Sequence, residues 1–459
     1  QAQSVTAARV ATTQRGPDVV AAVLILAATL ALFAPALFGP RAILIGDSPF
    51  HGIPMLHYLR EVLYGHYSML WTDLVYAGHP VFAESQGGFL NPLNLLVAAL
   101  FEPVTGVDVY HFLCTFLCAL GVHLLCRELG CRASSSLFGA TAMAASTMWL
   151  TLQGNLTISN VTMCVPWVML AFERLLRQPD VTAGLWLALA MSYLVLAGYP
   201  HVVQGMAVFL FVSLVSRAAG WARKRELAAR LRSLVAPGVV AVVFTLGLCA
   251  AQLLPMFELA SESYRAAGVD YVRFAPQTFL RGLLFADIVP EELTPNFTLL
   301  GSMAVSMLFL SGALVARGAR ALGMLLATLF LCYLGFGAQA PGFEFIHRHG
   351  LVPGMRYFRL MTPYFYIGVV GVCVVAALGV EAWADARANA RRRLALIACS
   401  AVPVLAGAVV LHTAQVHWWH YASLALCVLC GGAAIATGRE ALLPVALLAV
   451  LAVEVCVLR

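Results

Sequence analysis

Charge is what this chain has least of. Of 459 residues, 61% are hydrophobic and only 11% are Asp, Glu, Lys or Arg, and Lys224 is the only lysine. A soluble globular protein carries roughly 25% charged residues, because its surface needs polar side chains to cover it. Together with a mean hydropathy of +0.86 and repeated long apolar runs, this deficit excludes a soluble globular fold. It indicates an all-α polytopic membrane protein, since each apolar run has the length of a spanning helix.

Several chemical signatures are absent too. There is no GxxxxGK[ST] and no strand-borne GxGxxG, and the loops on the basic side are too short for a nucleotide-binding domain, so ATP-driven transport within the chain is excluded. The only CxxC, Cys427-Val428-Leu429-Cys430, lies inside an apolar run, and no second CxxC accompanies it at metal-site spacing. Of the twelve cysteines, most, Cys114, Cys118, Cys249, Cys332, Cys373, Cys427 and Cys430 among them, lie in apolar runs and read as small buried hydrophobes. No HExxH occurs, and no internal repeat or low-complexity tract. The net charge of +6 comes from arginines spread between apolar runs, where they set membrane topology. No nucleic-acid partner is expected.

By the rule of about 20 apolar residues per span, the chain holds about thirteen. They are expected at 19–38, 108–127, 134–152, 160–176, 181–197, 201–217, 234–254, 298–316, 320–338, 362–383, 394–411, 419–437 and 440–458. The run 90–101, after Asn91-Pro92, is too short to span and is expected to be an outer-surface helix or a re-entrant piece. The arginines then sort the loops. Arg9 and Arg15, Arg127 and Arg132, Arg174 and Arg177, the stretch 217–232, Arg317 and Arg320, Arg387 to Arg393 and Arg439 fall in alternate loops, which are expected to be cytoplasmic. The N-terminal tail 1–18 is on that side, and 19–459 is a single transmembrane domain. The stretch 217–232 is expected to be an inner loop helix near anionic headgroups. The opposite loops, 39–107, 153–159, 198–200, 255–297, 339–361 and 412–418, carry most of the His, Asp, Glu and Tyr outside the spans.

The first of these outer loops is the most informative part of the chain. It is rich in His, Asp, Glu, Gly and Pro where the rest of the sequence is apolar, and loops of that content usually bind something. Asp47, in Gly46-Asp47-Ser48-Pro49, lies about nine residues past the first span and is the leading acid/base candidate. The alternative is that it only forms an Asx-type turn or a helix N-cap. Residues 52–64 are expected to form an interfacial helix, with Ile53, Leu56, Leu59, Leu63 and Tyr67 on its apolar side. Trp71 and the tyrosines suit an interface belt. His51, His57, Asp73, His79 and Glu84 are weaker candidates that could hold a divalent cation, although their spacing matches no specific metal motif.

The residues Gly46-Asp47, the short amphipathic helix, Trp71, Gly78-His79-Pro80, Gln86-Gly87 and Asn91-Pro92 resemble the first outer loop of bacterial YfhO-like membrane proteins, which belong to the GT-C class of polytopic glycosyltransferases. The resemblance continues in order through Pro166-Trp167-Val168 with Glu173-Arg174, through Ala197-Gly198-Tyr199-Pro200-His201, and through Gln252-Leu253-Leu254-Pro255 with Glu258, Ser263 and Arg265. It ends with Arg356-Tyr357-Phe358-Arg359, and covers about residues 20–385. The chain departs from many GT-C enzymes in that Asp47 has no acidic neighbour in sequence. A sizeable outer C-terminal domain is common in the family, whereas the sequence here stops at Arg459, directly after its last expected span.

The resemblance implies a GT-C-like architecture of about 13 transmembrane helices, with short interfacial helices in outer-face loops. It also implies transfer of a sugar from a polyprenyl-phosphate-linked donor at the outer face of the bacterial cytoplasmic (inner) membrane. Asp47 would be the general base. Arg281, Arg356 and Arg359 would bind the donor phosphate through their forked guanidinium groups, with Arg265 and His347 as second choices. His51, His79, Glu84, Gln86 and Glu258 would contact substrate, and Glu262 stands beside them. A divalent cation is a candidate cofactor, and membrane lipid is a partner. Two other readings are open at this point. One is a non-catalytic membrane subunit of a larger complex derived from a GT-C fold. The other is a transporter of a lipid-linked substrate, against which the scarcity of charge within the spans weighs.

Overall fold

The computed structural model describes residues 15–263, apart from 76, 147–148 and 150–151, residues 302–413, apart from 317 and 386–389, and residues 425–427 and 429. Among the described residues every regular element is helical, and one isolated antiparallel bridge joins Thr72 to His79. In order they are α1 (Arg15–Leu37), α2 (Ile53–Leu63), α3 (Pro92–Leu100), α4 (Pro103–Glu128), α5 (Ala133–Ala145), α6 (Leu156–Arg177), α7 (Val181–Leu196), α8 (Pro200–Arg223) and α9 (Leu227–Glu262). Beyond residue 301 come α10 (Met303–Val315), α11 (Ala319–Gly335), α12 (Phe343–Arg348), α13 (Pro363–Ala384) and α14 (Ala390–Thr413). Among the described residues six helices, α1, α4, α6, α8, α9 and α13, are long and apolar enough to cross a membrane. The molecule is a multi-pass helical membrane protein.

Each span expected before residue 412 overlaps a helix, but among the described residues only those six have the length and composition to cross; α5, α7, α10 and α11 run 13, 16, 13 and 17 residues. The span expected at 440–458 lies outside the described residues, and of 419–437 only 425–427 and 429 are described. Three boundaries differ from expectation for identifiable reasons. Helix α5 stops at Ala145 because Ser146 turns extended (ψ 140°) and its Oγ accepts the backbone N–H of Trp149 at 3.1 Å. Helix α9 is far longer than its apolar run. At 36 residues and a rise of 1.5 Å each it measures about 54 Å, against a hydrocarbon core of about 30 Å. The basic stretch 217–232 is accordingly no separate loop helix: α8 runs through Arg223, and α9 starts at Leu227 after a tight turn in which Arg225 has φ +59°.

Helices α6 and α13 are buried almost throughout and form the centre, whereas α1 and α9 are mostly exposed and lie at the periphery. At the α10–α13 crossing the backbones touch. A Cβ on Gly312 would fall 2.0 Å from the Val375 carbonyl oxygen, and one on Gly379 2.0 Å from that of Leu308. Such close approach gives apolar helices dispersion contact where lipid supplies no hydrophobic driving force between them.

The two ends of the bundle differ in chemistry. At one end the arginines are paired. Arg127 Nε lies 2.7 Å from Asp18, which also stands 3.4 Å from His123. Arg132 pairs with Glu381 and Asp385, Arg174 and Arg177 with Glu128, and Arg217 with buried Glu173. These contacts gather the start of α1, the ends of α4, α6, α8 and α13 and the start of α5, the same arginines the charge pattern assigned to one side. The opposite end carries the segments 38–52, 64–91, 153–155, 197–199 and 336–362.

Candidate functional site

The site is built at that second end, around the first loop. Past α1 the chain runs extended to Gly46, pinned where the Ile43 N–H donates to Asp108 Oδ1 at 2.8 Å. Gly46 (φ +56°) lets the chain turn against Gly154, whose Cα would lie 2.9 Å from a Cβ at this position. Ser48 is buried and donates its hydroxyl to the Gln153 carbonyl at 3.1 Å. The junction between α5 and α6 is thus the seat of the Asp47 turn.

Asp47 itself is exposed. Its carbonyl accepts the N–H groups of Phe50, His51 and Gly52, at 3.2, 2.7 and 3.3 Å, which closes a single wide turn, Ser48–Gly52, leading into α2. Its carboxylate makes no capping bond to that turn, so the N-cap reading of Asp47 does not describe the side chain. The carboxylate instead accepts Asn155 Nδ2 at 3.1 Å. Asn155 is divided between two tasks, because its Oδ1 accepts the Ile158 N–H at 3.1 Å and caps α6. One amide therefore fixes a helix N-terminus and orients the candidate base. Sequence reading passed over Asn155. Its signal was an Asn immediately before an apolar helical run, a cap signature.

The remaining first-loop candidates divide. His51 and Gln86 share a narrow cleft with Gly52, Met55, Asn94 and Thr157. Asp47 stands at its rim, since the turn bearing His51 and the α6 start bearing Thr157 both begin at the Asp47–Asn155 contact. The cleft floor is a buried amide network: Tyr110 donates to Asn94 Oδ1 at 2.6 Å, Asn160 Nδ2 lies 3.3 Å from the same oxygen, and Asn94 Nδ2 donates to the Gly87 and Gly88 carbonyls. His79 and Glu84 approach each other to 3.7 Å. Among the described residues no group of three His, Cys, Asp or Glu is placed to hold a metal, so the cation expectation finds no cluster there.

Helix α2 buries Leu56, Leu59 and Tyr58, as its spacing requires, whereas Leu63 and Tyr67 stay exposed, Tyr67 stacking on Tyr58. Helix α3 is capped by Asn91, whose Oδ1 accepts the N–H groups of Leu93 and Asn94, and Trp71 is exposed with its indole N–H on Asp73.

Segments far apart in sequence close on this loop. Thr157 donates to the Gln86 carbonyl at 2.9 Å. Gln252, buried in α9, donates to the Phe82 carbonyl at 2.7 Å. Gly198 (φ +87°) lies so near Ser85 that a Cβ would fall 2.2 Å from the Ser85 carbonyl oxygen, and Ser85 itself is buried in the left-handed region at φ +71°. On the other side, His201 stacks flat on Phe358 with ring centroids 4.1 Å apart, and Gln204 donates to the Pro353 carbonyl at 2.9 Å. The stretch Gly198–Gln204 thus lies between the first loop and the segment bearing Arg356 and Arg359.

The arginines are held differently. Arg356 is exposed and folds back on its neighbour, its Nη2 donating to the Tyr357 hydroxyl at 2.9 Å. Arg359 is exposed and makes no ion pair among the described residues. Glu258 and Glu262 lie exposed in the last turns of α9, and the Glu258 carbonyl accepts Ser261 Oγ. No contact joins them to the Asp47 turn among the described residues. His347 lies in α12 against Phe343. Arg265 and Arg281 lie outside the described residues.

This layout can be compared with known proteins. No protein-family model matches the sequence, and a search of characterised proteins finds no match. Solved structures do match. ArnT from Cupriavidus metallidurans, bound to undecaprenyl phosphate, superposes with a TM-score of 0.50 at 14% identity, over 94% of this chain and 74% of ArnT. The arabinofuranosyltransferase AftD from Mycobacteria gives a TM-score of 0.50 at 15% identity, over 86% of this chain. The chain shares the fold of these two transferases. The match spans 26% of AftD, so the chain corresponds to about a quarter of that protein. The Archaeoglobus fulgidus oligosaccharyltransferase is also matched, with a TM-score of 0.46 at 13% identity, over 95% of this chain and 56% of that one.

Proposed function

We propose that this chain is a membrane glycosyltransferase of the YfhO-like kind, which moves a sugar from a polyprenyl-phosphate-linked donor to an acceptor hydroxyl. It works at the outer face of the bacterial cytoplasmic membrane, with the N-terminus and the ion-paired end in the cytoplasm. The reading is carried by one observation. In a chain with the fold of these transferases, an exposed carboxylate, Asp47, is held by a dedicated amide in the first loop, and the stretch Gly198–Gln204 joins that loop to the arginine segment, at the end of the bundle opposite the paired arginines.

Asp47 takes the proton of the acceptor hydroxyl as that oxygen attacks the anomeric carbon. The bond from that carbon to the phosphate oxygen breaks, and polyprenyl phosphate leaves with the electron pair, inverting the anomeric centre. A phosphate leaving group needs charge stabilisation rather than protonation. Arg359, without an ion pair among the described residues, and Arg356, once it releases Tyr357, supply it by forked hydrogen bonds. Arg281 belongs to the same proposed donor site. The polar lining at His51 and Gln86, with the His79–Glu84 pair beside it, suits hydroxyl-rich substrate, and Glu258 is assigned to its far edge. A divalent cation, if bound, would share the phosphate charge.

Asp47→Asn keeps the shape and the Asn155 neighbour and removes the base. With the chain in lipid nanodiscs and a panel of polyprenyl-phosphate sugars, release of polyprenyl phosphate is expected to fall by about 10²–10⁴. Parental turnover in this variant would exclude Asp47 as the base.

A further inference from the structure

The Asp47 loop and the arginine segment do not touch each other through any contact among the described residues. One short stretch touches both. Its N-terminal part, Gly198, packs backbone to backbone against Ser85 and Gln86 of the first loop, and Ser85 Oγ donates to the Gly198 carbonyl at 3.5 Å. Its C-terminal part is the first turn of α8, and it grips the segment 353–364 at three points. The His201 ring lies parallel to Phe358, at 4° between planes, and meets the edge of Tyr364 at 4.7 Å. Gln204 donates Nε2 to the Pro353 carbonyl and accepts the Tyr364 hydroxyl at 2.8 Å on Oε1. Phe358 stands between Arg356 and Arg359 in sequence, so the residue clamped is the one that sets where both guanidinium groups begin.

The His201 ring is held by stacking. It is 4% exposed, and its Nε2 has no hydrogen-bond partner among the described residues. Leaving a buried polar atom unpaired costs about 1–3 kcal/mol, and an apolar group of the same shape is then tolerated. What the position requires is a flat aromatic ring.

The geometry points to His201 and Gln204 as positioning residues that hold the arginine segment in register with the Asp47 loop. This deepens the transferase reading and rests on it for the donor phosphate as the group positioned. His201 touches no reacting atom. It acts through Phe358 on Arg356 and Arg359.

Three variants test this in nanodiscs: His201→Ala, His201→Phe and His201→Ala combined with Arg359→Ala. Two readouts are taken, hydrogen exchange of the amides of 353–362 and affinity for polyprenyl phosphate. His201→Ala is expected to speed exchange in 353–362 and to weaken polyprenyl phosphate on the order of tenfold, while His201→Phe restores both. In the Arg359→Ala background, His201→Ala is expected to add little further loss, because the residue it positions is already gone. Unchanged exchange in His201→Ala overturns the proposal. So does a loss of affinity equal in the presence and absence of Arg359, which marks general damage. If the parent does not bind polyprenyl phosphate but His201→Ala still loosens 353–362, the clamp is supported and the donor reading fails.

Discussion

Asp47 and Asn155 form the smallest unit on which the proposed function depends. An exposed aspartate with no acidic neighbour in sequence has nothing to fix its direction except what the fold brings to it. The fold brings an amide that is itself immobilised by capping α6. Asn155→Asp separates the two tasks. Aspartate caps a helix about as well as asparagine, so stability is expected to stay near the parent. The donor to Asp47 is lost, however, and a second carboxylate stands in its place. Two close carboxylates hold a shared proton to higher pH than either would alone. The basic form of Asp47 then appears only at higher pH, and the rising limb of the turnover–pH profile is expected to move upward. A profile that superposes on the parent's would show that Asn155 does not act on the base. Neither half of this unit could be paired from sequence. Asp47 stood out by its setting, but Asn155 lies more than a hundred residues away in a junction whose length alone drew no attention.

At the scale of elements, apolar run length located the helices and loop chemistry marked the first loop as the candidate site, but the contacts between loops were invisible. The order of the motifs Gln86-Gly87, Ala197-Gly198-Tyr199-Pro200-His201 and Gln252-Leu253-Leu254-Pro255 was legible. Their convergence on one loop was not, because each contact is a backbone carbonyl met by a distant side chain or by a glycine. Period and propensity carry no information about such pairs. The helix ends show the same limit: α9 continues well past its apolar run at both ends, and α5 stops short where Ser146 offers its own side chain as a turn.

The tightest inter-loop contact yields a prediction. Gly198→Ala places a methyl against the Ser85 carbonyl in a backbone conformation that L-residues resist, a strain of about 1–3 kcal/mol. Thermal unfolding in detergent is expected at lower temperature, with donor turnover reduced more than that shift explains. Gly220→Ala, in α8 with its nearest neighbour at 3.5 Å, is expected to change neither. Equal behaviour of the two variants would remove Gly198 as the joint between loops.

For the whole molecule, the arginine pattern and the coordinates agree on which residues share an end. Positive charges that sorted the loops by sequence are found drawn together into ion pairs by Asp18, Glu128, Glu173, Glu381 and Asp385. The exposed aspartate and the arginine segment occupy the other end. The proposed orientation puts the arginine-rich end in the cytoplasm. Arg359→Cys is expected to react with a membrane-impermeant maleimide on intact cells, and Lys224→Cys only after permeabilisation, each above the background of the parent chain's own thiols. The reverse pattern would invert the topology and place Asp47 in the cytoplasm.

The central claim is that the Asp47 turn and the arginine segment together receive a lipid phosphate. An electron cryo-microscopy structure of the chain in nanodiscs containing polyprenyl phosphate tests it most directly. Density for the phosphate is predicted within hydrogen-bonding reach of Arg359 or Arg356, beside the Asp47 turn, with Phe358 still stacked on His201. A phosphate bound among the paired arginines at the opposite end, with nothing between Asp47 and the 353–362 segment, would contradict the account.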